Sequence, residues 1–282
     1  MPMKDNPSAR NRKLVAIAVP GSNRDRLTRD EEVSLNHLLK HLGHYDRYLV
    51  VPPHLRMLTD QGFEMLHFGP EYFGSAKAHC QLLFSKAFYQ AFADYEYLLI
   101  YHLDALVFSD QLEYWCRRGF DYIAPPWIPH KDAVYSGNPG YEGKVGNGGF
   151  SLRKIGSFLR VLDSKRLYKD PVEQFRRTMR SERAPLEKTI SALKTLAKFS
   201  PYFNGVRQEL ADYRKNEDHF WANRARHYYP GFNIAPVETA LRFAFECVPR
   251  FCFEKNGRTL PFGCHAWPKY DRDFWEPYLI SS

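Results

Sequence analysis

Between Lys13 and Trp127, short apolar, β-rich runs recur with helix-length segments between some of them, and this alternation restricts the fold more than any other feature. The runs are "KLVAIAVP" (13–20), "DRYLVVPP" (46–53), "FEMLHF" (63–68), "YEYLLIY" (95–101) and "FDYIAPPW" (120–127). Most lack the polar-apolar alternation of a strand with one wet face, so they belong in a sheet covered on both sides. Between the first two, Val33, Leu35, Leu38, Leu39 and Leu42 recur near helical spacing in 30–42, and Gly43 can stop that helix. Residues 75–92 read as a second helix, with Ser75 as its candidate N-cap. Strands alternating with helices predict an α/β fold: a Rossmann-like mixed, mostly parallel sheet flanked by helices.

The chain of 282 residues is long enough to bury a large core. Residues 1–12 read as a flexible polar tail and 13–282 as a single domain. Within it, 155–212 read as a helical basic insertion and 246–282 as a loop-rich C-terminal segment. No run approaches the length of a membrane span. The first residues lack a signal peptide's apolar stretch. Five scattered cysteines without a CxxC pair suggest reduced thiols, so a cytoplasmic location is expected. Residues 153–200 hold 13 Lys/Arg against 5 Asp/Glu, which equals the whole net charge of +8. So local a basic field points to an anionic partner or to a solvated helical face. No RRM, KH or helix-turn-helix signature accompanies it, so no specific nucleic-acid partner is expected.

Four short motifs carry candidate chemistry. "YHLDALVF" (101–108) ends the fourth run with His102 and Asp104, two apart and therefore on one side of extended chain. In open α/β sheets ligands sit outside the carboxyl ends of strands, where this pair would lie. Asp suits Mg²⁺ or Mn²⁺ and imidazole suits Mn²⁺; a turn-forming strand end is the alternative. "VGNGGFSLR" (145–153) offers Asn147 and glycines that permit close backbone approach. In "KNEDHFWANRA" (215–225), Asn216 can cap a helix whose first turn holds Glu217 and Asp218, and either carboxylate can serve as a general base. In "PFGCHAWPKY" (261–270), His265 is a candidate third metal ligand. Residues 125–148 hold four prolines and five glycines and read as a long functional loop.

As an ordered set these motifs resemble the DUF5672 family, itself similar to nucleotide-sugar glycosyltransferases of the GT-A fold. The resemblance covers about 13–270, with 155–212 the least typical part. The family's strand-end motif usually carries Gln where this chain has His102, and of the D-x-D general in GT-A enzymes the chain keeps only the second Asp. The resemblance implies a glycosyltransferase moving a sugar from a nucleotide-sugar donor to a glycan or lipid-linked acceptor. Mn²⁺ or Mg²⁺ would be held by Asp104, His102 and His265. It also implies donor contacts from Pro20, Gly21, Ser22, Asn23, Arg24, Lys77, Asp104, Asn147, Gly148 and Gly149. Asp218 is the first choice as base and Glu217 the second, with Trp127 and Trp267 against the acceptor. A non-catalytic nucleotide- or glycan-binding module on a degenerate GT-A fold is the alternative.

In "LEKTISALKTLAKF" (186–199), Leu186, Ile190, Leu193 and Ala197 form one helical stripe. The stripe is expected to pack on the core. The other expectation is peripheral contact between 153–200 and the anionic inner face of a membrane.

Overall fold

The computed structural model describes residues 12–56, 61–181 and 185–280, so the expected flexible tail lies outside them except for Arg12. In chain order the strands are β1 (Lys13–Pro20), β2 (Asp46–Val51), β3 (Phe63–His67), β4 (Tyr95–Tyr101), β5 (Leu106–Val107), β6 (Tyr122–Ile123), β7 (Pro126–Trp127), β8 (Lys144–Val145), β9 (Phe150–Lys154), β10 (Ala244–Phe245) and β11 (Gly263–Cys264). Six of them form a sheet of order β3-β2-β1-β4-β9-β6, parallel except where β9 runs against β4 and β6. Residues 16–19 of β1 and 98–101 of β4 are fully buried, as apolar runs covered on both faces must be.

Helix α1 (Arg29–Leu42) starts with a reciprocal cap. Thr28 Oγ1 accepts from Glu31 N–H at 3.3 Å, and Glu31 Oε2 accepts from Thr28 N–H at 2.7 Å. The helix expected over 75–92 is instead two: α2 (Ala76–Phe84), capped by Ser75, and α3 (Lys86–Gln90), separated by an extended Ser85. The break turns Phe88 and Tyr89 into the core, where Tyr89 Oη donates to the Leu83 carbonyl at 2.9 Å. The run at 120–127 also divides, into β6 and β7. Pro126 pairs with Val145 and Trp127 with Lys144, so the long Pro/Gly loop is clamped at its base by the β7–β8 ribbon.

Beyond β9, α5 (Ile155–Leu162) buries Ile155, Phe158 and Val161 in the core. Helix α4 (Leu112–Arg117) precedes β6, and further helices follow α5 through the basic segment. They are α6 (Pro171–Arg180), α7 (Pro185–Ala197), α8 (Pro201–Asn204) and α9 (Val206–Asp212), followed by α10 (Glu217–Asn223). Helices α6 and α7 pack on each other as a hairpin. Asn204 ties its two ends together: its side chain donates to the carbonyls of Lys169 (2.6 Å) and Lys198 (2.9 Å) and accepts from Lys169 N–H (3.1 Å). The expectation that the 186–197 stripe packs on the core is corrected here. Leu186 is 73% exposed and Ile190 46%, Ala197 is exposed, and the Leu193 side chain lies outside the described set. Among the described side chains, α7 meets α6 through polar contacts: Ser191 faces Thr178 at 3.4 Å, and Lys198 just past α7 donates to Gln174 at 2.8 Å.

Candidate active site

The chain leaves β1 to build β2 and β3 on one side, then returns to place β4 on the other. The carboxyl ends of β1 and β4 are thus the point where strand order reverses, and the loops there part to leave a crevice. A cavity of about 550 Å³ occupies it, lined by Pro20, Gly21, Ser22 and Asn23 after β1, Ser75 at the start of α2, and Asp104 after β4. Two expected donor contacts lie elsewhere. The Arg24 guanidinium is turned onto Glu31 at 2.7 Å, and Lys77 is exposed outside the lining of this cavity.

Pairing of short strands brings His265 to the β4 end. Strand β5 runs antiparallel to β11, with Leu106 opposite Cys264 and Val107 opposite Gly263, and Trp267 N–H donates to the Asp104 carbonyl at 3.1 Å. On the other side His102 N–H donates to the Gly149 carbonyl at 2.8 Å. Ligand atoms of His102, Asp104 and His265 therefore lie within 4.8 Å of one another. Asp104 Oδ1 and His265 Nε2 are 3.2 Å apart without a hydrogen bond's alignment, so each is a buried polar atom with no hydrogen-bond partner. Burial disfavours the His265 imidazolium, but Asp104 and then Glu246, whose Oε1 is 3.3 Å from Nδ1, outweigh it and push its pKa up to about 10. Burial likewise opposes ionisation of Asp104, yet the facing imidazolium holds that carboxyl well below the ordinary range. Once the His265 proton is displaced, Asp104 Oδ1, His265 Nε2 and a ring nitrogen of His102 are close enough together to hold a divalent cation, and two imidazoles with one carboxylate favour Mn²⁺ over Mg²⁺.

Two partners of this cluster escape sequence reasoning. His79 on α2 places Nε2 3.0 Å from His102 Nε2, and burial, then Arg153 and His265, lower its pKa to about 4. A neutral His79 can accept a hydrogen bond from His102 and fix that ring's orientation. Glu246 does the same for His265. Neither lies in a recognisable motif.

The glycine run, expected at the donor, also makes room for neighbouring side chains. A Cβ on Gly149 would fall on the His265 ring and one on Gly148 on Glu217 Oε1, so these glycines admit two side chains. Asn147 is buried in a left-handed conformation (φ 92°), and its Oδ1 faces Gly149 N–H at 3.4 Å. Glu217, expected as an alternative base, has both oxygens on Arg153, at 2.8 and 3.1 Å. Arg153 is fully buried and also donates to Ser151 Oγ and Tyr89 Oη, each at 2.9 Å. This ion pair holds α10 against β9.

Its neighbour Asp218 makes no such pair and accepts only from His219 N–H, at 2.6 Å, among the described contacts. Asn216 sits at the N-cap position without capping through its side chain. Burial, reinforced by the Glu217 charge, raises the Asp218 pKa to about 7. Asp218 lines a second cavity of about 560 Å³ with Trp127, Tyr135, Tyr141 and Tyr270. Ala76, His79 and His102 line both cavities, which meet at the imidazole–carboxylate cluster. Trp267, expected against the acceptor, is instead fully buried, donates to Ser34 Oγ at 3.0 Å and carries the Arg272 guanidinium 4.7 Å above its ring.

The crevice at the strand-order reversal, bordered by an imidazole–carboxylate cluster, is the candidate ligand site of this α/β fold. The chain belongs to the DUF5672 family, described as a protein of unknown function, whose model matches residues 62–265. No curated protein matches the chain. Among solved structures it is similar to the apo form of the glycosyltransferase GlyE of Streptococcus pneumoniae TIGR4 (13% identity, TM-score 0.45). That match covers 96% of this chain but only 61% of the other. It is also similar to the galactosyltransferase LgtC bound to donor and acceptor sugar analogues (11% identity, TM-score 0.48, 95% of this chain and 97% of that one). The catalytic domain of Drosophila β1,4-galactosyltransferase 7 matches over 53% of this chain and 52% of its own (18% identity, TM-score 0.31). At these scores the likenesses carry no functional argument.

Proposed function

We propose that this chain is a nucleotide-sugar-dependent glycosyltransferase of GT-A type. The observation that carries the reading is the meeting of two cavities at His102, with Asp104 lining one, Asp218 lining the other and His265 beside Asp104. The cavity after β1 takes the nucleotide and its diphosphate; the aromatic cavity takes the acceptor saccharide, whose ring faces suit Trp127 and the tyrosines. Asp218 removes the proton from an acceptor hydroxyl, a role suited to a carboxylate with a pKa near 7. The hydroxyl oxygen bonds to the anomeric carbon as the bond from that carbon to the phosphate oxygen breaks. The diphosphate leaves with the electron pair, and this direct displacement inverts the anomeric carbon. A divalent cation on His102, Asp104 and His265 would supply charge neutralisation for the leaving diphosphate. The loop of Gly21, Ser22 and Asn23 borders the nucleotide, with the Gly21 amide already donated to the Val50 carbonyl at 2.8 Å.

The test is a thermal-shift screen of UDP-, GDP-, CMP- and dTDP-sugars with and without Mn²⁺, followed by donor-turnover assays with the nucleotide that stabilises the protein. The expected result is stabilisation by one nucleotide class and sugar release or transfer that Asp218→Asn abolishes. Binding without turnover for any acceptor would assign the chain to the non-catalytic binding modules instead. Stabilisation by no nucleotide would sink both readings.

A further inference from the structure

Among the described side chains of hairpin α6–α7, polar groups link the two arms, Thr178 to Ser191 and Gln174 to Lys198 just past α7, while Phe175, Met179, Leu186, Ile190 and Leu196 are exposed. On α6, Phe175 and Met179 (39% and 49% exposed) lie on one side of the helix; on α7, Leu186 and Ile190 do the same, and Leu196 is 62% exposed. Just beyond, Phe203 of α8 is exposed as well. Scattered exposed leucines are ordinary on a protein surface, but an apolar set on successive turns of paired helices marks a surface that has a partner.

Charge says which partner. Arg176, Arg177 and Arg180 on α6 and Lys194 on α7 are exposed and have no ion-pair partner among the described residues. They belong to the segment that carries the whole excess charge of the chain. A second copy docked on this face would bring two such clusters together. Nucleic acid would satisfy the cations and leave the aliphatic side chains in water. An anionic lipid surface satisfies both, because headgroups pair with the cations while the apolar side chains enter the boundary of the acyl chains. We propose that the α6–α8 segment docks this protein peripherally on anionic bilayers. Among the described residues no helix is long and apolar enough to cross one. The inference rests on the surface alone and is independent of the activity proposed for the crevice.

Co-sedimentation of the full chain with phosphatidylcholine vesicles, with and without phosphatidylglycerol, tests it at low and high salt. Binding should require phosphatidylglycerol and weaken with salt. Arg176→Ser with Arg180→Ser should reduce it roughly 30-fold. Phe175→Glu with Met179→Glu should also abolish it. All four positions are exposed, so thermal unfolding of these variants should match that of the parent and separate lost docking from lost folding. Equal binding to neutral vesicles, or none at low salt, would overturn the proposal. So would full binding by the Phe175/Met179 variant, since the apolar face would then be idle. A concentration-dependent dimer abolished by the same pair would assign the face to a second copy and reject the lipid reading.

Discussion

Two adjacent carboxylates on α10 have opposite fates because of what each faces. Glu217 pairs with a buried guanidinium, whereas Asp218 is buried beside it without a cation of its own. Replacing Glu217 with Gln leaves Arg153 without its counter-ion in the core. Chemical denaturation should show a loss of about 3–5 kcal/mol, far more than an exposed pair would cost. For Asp218 the sign is the reverse. Its folded pKa of about 7 exceeds the ordinary value near 4, so the native state binds the extra proton and stability is lost as pH rises through that window. Asp218→Asn should therefore stabilise the protein by about 2–4 kcal/mol at pH 8 and have little effect near pH 4. The same residue sets the activity profile: kcat/KM for transfer should climb tenfold per pH unit below about 7 and level off above it. An unchanged midpoint in pH–rate profiles of Asp218→Glu and parent, or activity in Asp218→Asn, would remove it as the base.

At the scale of elements, a three-stranded sheet of two-residue strands decides whether a site exists at all. Strands β5 and β11 carry His265 across more than 150 residues of sequence to Asp104, and β9 begins beside His102 because it runs antiparallel to β4. The close approach depends on Gly149. A methyl group there displaces His265 while leaving the six-stranded sheet in place, so Gly149→Ala should lower Mn²⁺ affinity about 10–100-fold by calorimetry. His79→Ala should weaken Mn²⁺ binding over the same range, with His79→Asn recovering part of it because an amide oxygen still accepts from His102. Unaltered Mn²⁺ binding in both alanine variants would place the cation elsewhere.

For the molecule as a whole, ligand and fold are thermodynamically linked. Mn²⁺ at a hundredfold excess over its Kd should add about 2.7 kcal/mol of stability, and His265→Ala or Asp104→Asn should abolish that increment in a thermal-shift titration. Most strands of the main sheet and helix α1 were legible in the sequence, because apolar runs and helical spacing act over a few neighbours. The division of 75–92 into two helices was not, since it is driven by the need to bury Phe88 and Tyr89 against a core built from distant strands. Nor was the outward face of α7: periodicity reports that a helix has an apolar side but not what that side meets. Sequence alone determined the alternation that folds into an α/β sheet, and the local chemistry of each motif. Only tertiary structure decided which motifs meet. It made His265, His79 and Glu246 neighbours of the β4 end, spent Glu217 on Arg153, and buried Trp267 in the core. Those outcomes depend on strand pairing and close packing between segments far apart in the chain, which no local pattern of residues encodes.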